Sequence, residues 1–414
     1  MPEITHSQSP SSWKHNLIVI WFAELVAIAG FTVIMPILPL YVRRLGVQGE
    51  QQVRLWSGVI FSAHAVTMAV FAPIWGALSD RYGRKVMVER AMFSGAVLIA
   101  LMGFAQNVVQ LVVLRLLTGA LTGTVMAATA LVATSAPRER SGYALGLLQM
   151  AIYTGASGGP LLGGLVTDWL GFRAAFLVTG GLLLVAALGV MFFIREDFEP
   201  IPLPQEQTAA TRPTLRRRAW NHLAPVLSLP ALRGVLGTRL LMRLGARLLG
   251  PVLPLFIESI VPAGARVASI TGVISGVSAA AGAVGAISLG RLGDRVGYRT
   301  ILVICALVSV GCYVPQYFIN HTTGLLFLQA GTGLAMGGIL ASLSASLARL
   351  APEGQEGIVY GIDSSVVSVA NSVGPLAGSG LAAWIGLRVP FLFAAGVFAV
   401  AGAAAARILP RRQR

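Results

Sequence analysis

Gly76-Ala77-Leu78-Ser79-Asp80-Arg81-Tyr82-Gly83-Arg84-Lys85 joins two long apolar runs, Leu55 to Ala77 and Val86 to Ala105. Two helices that cross a bilayer need a polar turn at its surface, and glycine permits a tight one. Basic residues in so short a loop favour the cytoplasmic side. A second copy, Gly290-Arg291-Leu292-Gly293-Asp294-Arg295-Val296-Gly297-Tyr298-Arg299, follows at an offset of 214 residues. Other pairs keep the same interval. Pro36-Ile37-Leu38-Pro39 matches Pro251-Val252-Leu253-Pro254 at 215, and Gly119 matches Gly333 at 214. Ala136-Pro137 with Ala351-Pro352, and Gly159-Pro160 with Gly374-Pro375, both recur at 215. So constant an offset implies a tandem duplication whose halves start in the same direction. Such repeats mark secondary transporters, with the substrate site between the halves near the midplane.

Composition agrees. Of 414 residues, 55% are hydrophobic and only 11% charged, and the mean hydropathy is +0.76. Soluble domains carry roughly 25% charge, so the solvent of this chain is lipid. The net charge of +15 does not indicate nucleic acid, because the basic residues sit in short loops and not on one face. Cys305 and Cys312 are seven apart on one predicted helix, too far for a disulfide, and no metal-ligand spacing occurs. The polar start runs directly into a full span, with no cleavable leader expected.

Segments long enough to span lie near 16–42, 55–77, 86–106, 108–135, 142–167, 174–194, 231–260, 268–289, 300–319, 323–350, 357–385 and 389–408. The chain thus reads as an all-α membrane protein of twelve transmembrane helices in two six-helix bundles, 1–194 and 231–414, joined by a polar cytoplasmic linker at 195–230. With both termini inside, 21 of the 31 Lys and Arg residues fall in cytoplasmic segments and six in outer loops, which sets the expected orientation.

Charge inside the spans marks candidate sites, because a buried ion costs at least ~2.5 kcal/mol on insertion scales and should face the interior or water. Glu24 in the first span and Asp363 in the eleventh are candidate proton-coupling acids; a fixed pairing with an arginine is the structural alternative. In the fourth span, Arg115 precedes Gly119 by four residues. His64 in the second span is either a cavity residue or a neutral histidine bonded to a neighbouring helix. Arg239, Arg243 and Arg247 lie on one face of the seventh span. They suit an anionic or zwitterionic substrate or a structural network with Glu24 and Asp363. Position 239 lies 215 beyond Glu24, so Glu24 is expected to approach this stripe across the cavity. Gln149 and Asn371 are further cavity candidates. In the fifth span Gly155, Gly159, Pro160, Gly163 and Gly164 allow two helix backbones to touch. Ser379 stands where the eleventh span would repeat the last glycine.

The loop at Gly76, Asp80, Arg81, Gly83, Arg84 and Lys85, echoed by Asp294 and Arg295, resembles the signature between helices two and three of the major facilitator superfamily. Arg115-x-x-x-Gly119 and the pattern Gly155-x-x-x-Gly159-Pro160-x-x-Gly163-Gly164 resemble motifs of its drug:proton antiporters. Trp13-Lys14-His15-Asn16-Leu17-Ile18-Val19, Met35 to Val42 and Trp56-Ser57-Gly58 are similar to the MdtG/PmrA-type multidrug exporters. The resemblance implies that Asp80 meets the start of helix eleven as a latch in the outward-open state. It also implies that Arg115 takes part in proton exchange and that the glycines form a tight seam beside the cavity. Glu24 and the arginine stripe depart from the common family pattern.

The expected function is proton-coupled export of amphipathic small molecules by alternating access. A flippase or exporter of anionic lipids or metabolites is an alternative, and a non-transporting sensor a second. No enzyme chemistry is expected, since no nucleophile–base pair or nucleotide loop occurs. The expected coupling ion is the proton with no cofactor, the partners are small molecules and membrane lipids, and the chain is expected to be a monomer in a bacterial cytoplasmic membrane.

Overall fold

The computed structural model describes residues 12–137, 140–194, 196, 229–352 and 356–408. Almost all of the 195–230 linker therefore lies outside the described residues. Fifteen helices follow in order: α1 (Ser12–Val33), α2 (Leu38–Arg44), α3 (Glu50–Tyr82), α4 (Arg84–Met102), α5 (Val108–Leu121), α6 (Thr124–Ser135), α7 (Ser141–Leu170), α8 (Phe172–Phe193), α9 (Pro230–Leu248), α10 (Val252–Ile260), α11 (Val267–Val296), α12 (Tyr298–Phe318), α13 (Thr322–Leu350), α14 (Glu356–Trp384) and α15 (Val389–Ile408). Among the described residues, ten segments are long and apolar enough to cross a membrane. The long helices α4 and α7 pack among them, which is consistent with twelve crossings.

Three crossings are broken. The first splits into α1 and α2 around Pro36 and the seventh into α9 and α10 around Pro251, because proline supplies no N–H to the preceding turn. The fourth splits at Thr122-Gly123, where Gly123 has φ of 128°, a conformation that non-glycine residues avoid. Its repeat counterpart, α13, runs unbroken. The two signature loops are sharp corners at Gly83 and Gly297, each with φ of 96°, which explains a glycine at both.

Each half has its own core. One joins residues from Trp13 to Ile194 with Leu255 and Ala268; the other runs from Leu232 to Ala405. Within the halves, α1 packs on α7 as α9 packs on α14, and α3 on α5 as α11 on α13. The duplication holds at the level of single atoms. A Cβ on Gly163 would come within 2.1 Å of the Val33 carbonyl oxygen, and one on Gly378 within 1.9 Å of that of Leu248. Likewise a Cβ on Gly119 would lie 2.2 Å from the His64 carbonyl oxygen, and one on Gly333 2.0 Å from that of Ser278. Between the halves, α3 packs on α14 and α7 on α11.

Polar contacts between the halves gather at the end away from the chain termini. Arg43 Nη2 donates to Glu258 Oε2 at 3.2 Å. These residues are 215 apart, so the pair lies on the pseudo-twofold axis. Asp168 accepts from the Ser269 backbone N–H at 2.7 Å, capping α11 from the other bundle. Arg54 Nη1 donates to the Ala382 carbonyl at 3.0 Å, serving the last turn of α14. Ser269 and Arg54 are again 215 apart, so equivalent places use opposite chemistry. Toward the termini, a Cβ on Gly76, Gly142, Gly146 or Gly361 would meet nothing within 4 Å. The described polar ties between the halves thus lie at one end, and the glycines named at the other end have open space beside them.

Candidate translocation site

Glu24 is fully buried. Its Oε1 accepts from Thr124 Oγ1 at 3.1 Å, and Oε2 has no hydrogen-bond partner. The expected approach of Glu24 to the arginine stripe is not made. Its face of α1 turns into its own bundle and meets the first residue of α6, just past the Gly123 break. Among the described residues Glu24 has no ion pair, so a fixed pairing with Arg115 is also absent. Arg115, 2% exposed, sends Nε to the Ile60 carbonyl at 3.4 Å. It is also close enough to interact with His64, whose Nδ1 is buried without a partner. His64 therefore belongs to the α3–α5 packing around Gly119.

The arginine stripe faces its own bundle on one side and the interbundle space on the other. Arg239 Nε lies 2.6 Å from Asp363 Oδ1, and Arg239 Nη1 donates to Ser344 Oγ at 3.2 Å. Arg239 thus pairs with Asp363 and does not reach toward headgroups. Arg243 interacts electrostatically with Arg239, Arg247, Asp363 and, from the other bundle, Tyr153 of α7. Its Nε is buried and unpartnered. Arg247 is exposed and donates Nε–H to Asn371 Oδ1 at 2.8 Å. A charged side chain at that depth should face the protein interior or water. One carboxylate against three guanidinium groups leaves this patch positive. Gln149, exposed on α7, shares the helix of Tyr153.

The glycine seam has two faces. Gly155 and Gly159 press on Leu25 and Ala29 of α1, where a Cβ would lie 2.6 and 2.4 Å from carbonyl oxygens. Across the interface, a Cβ on Gly164 would lie 2.3 Å from the Ala268 carbonyl oxygen, and one on Gly272 of α11 2.2 Å from that of Pro160. On the symmetry-related side, a Cβ on Gly58 would sit 2.6 Å from Ser379 Cβ. The glycine absent at 379 is supplied by the facing helix.

The signature loop is anchored inside its own bundle. The Arg84 and Lys85 backbone N–H groups donate to Glu196 at 3.0 and 2.7 Å, and Lys85 Nζ donates to the Met191 carbonyl at 3.0 Å. A carboxylate at the start of α4 suits the helix dipole. Arg81 is exposed and lies over the Tyr82 ring. The Asp80 side chain lies outside the described residues, and among the described residues the loop makes no bond to α14. In the second copy, Tyr298 donates its O–H to Asp294, and Arg295 is exposed. Both cysteines are free.

The Major Facilitator Superfamily model matches residues 20–238 and 235–414. The chain belongs to this superfamily. It is 35% identical over 395 residues to the multidrug resistance protein MdtG of Salmonella arizonae, covering 94% of both chains. Among solved structures, a bacterial homolog of the human lysosomal transporter Spinster, inward-facing and unoccupied, aligns with a TM-score of 0.76 at 15% identity. That alignment covers 97% of this chain and 98% of the other. The human organic anion transporter TETRAN aligns at 0.66 and 20% identity, covering 96% and 100%. The protein is a multi-pass membrane transporter of this superfamily, and its expected fold class holds.

Sequence reasoning missed Thr124, Tyr153, Glu196 and the Arg43–Glu258 pair. Only the last left a readable signal, opposite charges at the repeat interval.

Proposed function

We propose that the chain is a proton-coupled antiporter exporting amphipathic small molecules from a bacterial cytoplasm by alternating access. The supporting observation is Glu24, a fully buried carboxyl held by one hydroxyl, with no described cation to keep it ionised. Such a group can exchange a proton as its bundle rocks, and inward proton movement is worth about 2.3 kcal/mol per 100 mV. The relatives named for multidrug resistance support export of drugs. With the termini cytoplasmic, the open end faces inward. In proteoliposomes with an imposed proton gradient, Glu24→Gln should abolish gradient-driven dye transport while dye binding persists. Full gradient-driven transport by Glu24→Gln would remove Glu24 from the coupling step.

A second reading rests on the positive patch. Arg243 and Arg247 exceed the charge of Asp363 and favour an anionic or zwitterionic cargo, including an anionic lipid. Comparing cationic dye, anionic dye and labelled phosphatidylglycerol in the same vesicles separates these cargoes. Arg243→Gln should impair only the anionic ones.

A further inference from the structure

An open pocket of about 270 Å³ lies in the first bundle, where α3, α4 and the α5–α6 break converge, with Met68 and Met126 exposed at its rim. Met68, Trp75, Ser79, Met87, Arg90 and Met126 line it. Trp75 is fixed by donating Nε1–H to the Ala120 carbonyl at 2.6 Å. Arg90 lies over that indole, its Cζ 3.5 Å from the ring centroid. Arg90 Nε and Nη1 are buried with no hydrogen-bond partner. Ser79, only 8% exposed, has an equally unpartnered Oγ. Buried guanidinium donors that go unused cost free energy that a bound anion would recover, and an arginine–carboxylate hydrogen bond is among the stronger kinds. Three methionines supply an adaptable apolar wall.

We propose that this cavity binds a small anionic arene, with its carboxylate on Arg90 and Ser79 and its ring among the methionines. The volume commits the site to this size. Pockets for drug-sized ligands measure roughly 300–1,000 Å³, so this one suits a ligand at the small end of that range, such as a fused aryl carboxylate. The break at Gly123 makes the room, because a continuous helix through Thr122 and Gly123, which also line the cavity, would run across it.

The test is binding of tritiated 2-naphthoate to the purified full-length chain in phosphatidylcholine discs, with empty discs subtracted. One saturable site is expected, weakened about tenfold or more in Arg90→Gln, since one charge-assisted hydrogen bond is worth that much. Ala127→Phe keeps every charge but fills the cavity and should abolish binding, which covers the case of a misfolded Arg90 variant. Folding of both is checked by size-exclusion profile and thermal melt. Binding unaltered in both variants, or displacement by neutral 2-naphthamide as readily as by naphthoate, overturns the proposal. So does displacement by phosphatidylglycerol doped into the disc, which would make this a lipid site. Loss of binding in Arg243→Gln with retention in Arg90→Gln would place the ligand between the bundles and equally refute it.

Discussion

Glu24 and Arg239 occupy equivalent positions of the two repeats, yet they are solvated in different ways. Glu24 rests on a threonine hydroxyl within its own bundle, whereas Arg239 is neutralised by Asp363. Removing one partner of a buried pair costs more than the pair contributes, because the remaining charge is stranded. Asp363→Asn should therefore destabilise the second bundle by about 3–5 kcal/mol, read as a lowered thermal unfolding temperature in detergent. The double variant Asp363→Asn with Arg239→Gln should recover much of that loss. Thr124→Val should leave the fold largely intact but alter the pH dependence of dye transport, because it removes the hydroxyl bonded to Glu24.

At the scale of elements, the close approaches between helices set what can be substituted. Gly163 and Gly378 abut backbone carbonyls of α1 and α9, and backbone atoms cannot swing aside as a side chain can. Gly163→Ala or Gly378→Ala should each cost about 1–3 kcal/mol, measured by thermal unfolding. Gly76→Ala, by contrast, meets nothing within 4 Å here and should leave the melt unchanged. If the signature loop latches onto α14 in the opposite state, the same substitution should slow transport. The break of the fourth crossing carries its own expectation. Gly123→Ala forces a side chain onto φ of 128° and should cost about 1–3 kcal/mol.

For the whole molecule, the polar ties away from the termini bias the two access states. Arg43–Glu258, Arg54–Ala382 and Asp168–Ser269 join the halves at that end. Arg43 is 41% exposed and Glu258 32%, so their attraction is screened, and such pairs contribute roughly 0–1 kcal/mol. Asp168 serves a helix N-terminus, where a negative charge adds about 0.3–1 kcal/mol. Combining Glu258→Gln with Asp168→Asn should shift the ratio of states about fivefold toward opening at that end. Spin-label distances between the outer ends of α2 and α10 would report it. An unchanged distance distribution would show that the glycine seam alone holds this state.

The amino-acid order by itself determined the helical membrane fold, the duplication and the family, because each is written in local signals: apolar length, a fixed offset, loop charge. It also marked Glu24, Arg239, Arg243, Arg247 and Asp363 as charges within the spans, since hydropathy reveals a charge in an apolar run. It could not say which of them meet. Partner choice depends on the rotation of each helix about its axis, and that is set by packing, here by carbonyls pressed against Gly155, Gly159, Gly163 and Gly378. Tertiary structure alone decided that Glu24 turns to Thr124, that Asp363 takes Arg239, and that Gly58 supplies the space for Ser379. It also opened a pocket at Gly123, because a helix break becomes a cavity only when its neighbours leave the room unfilled.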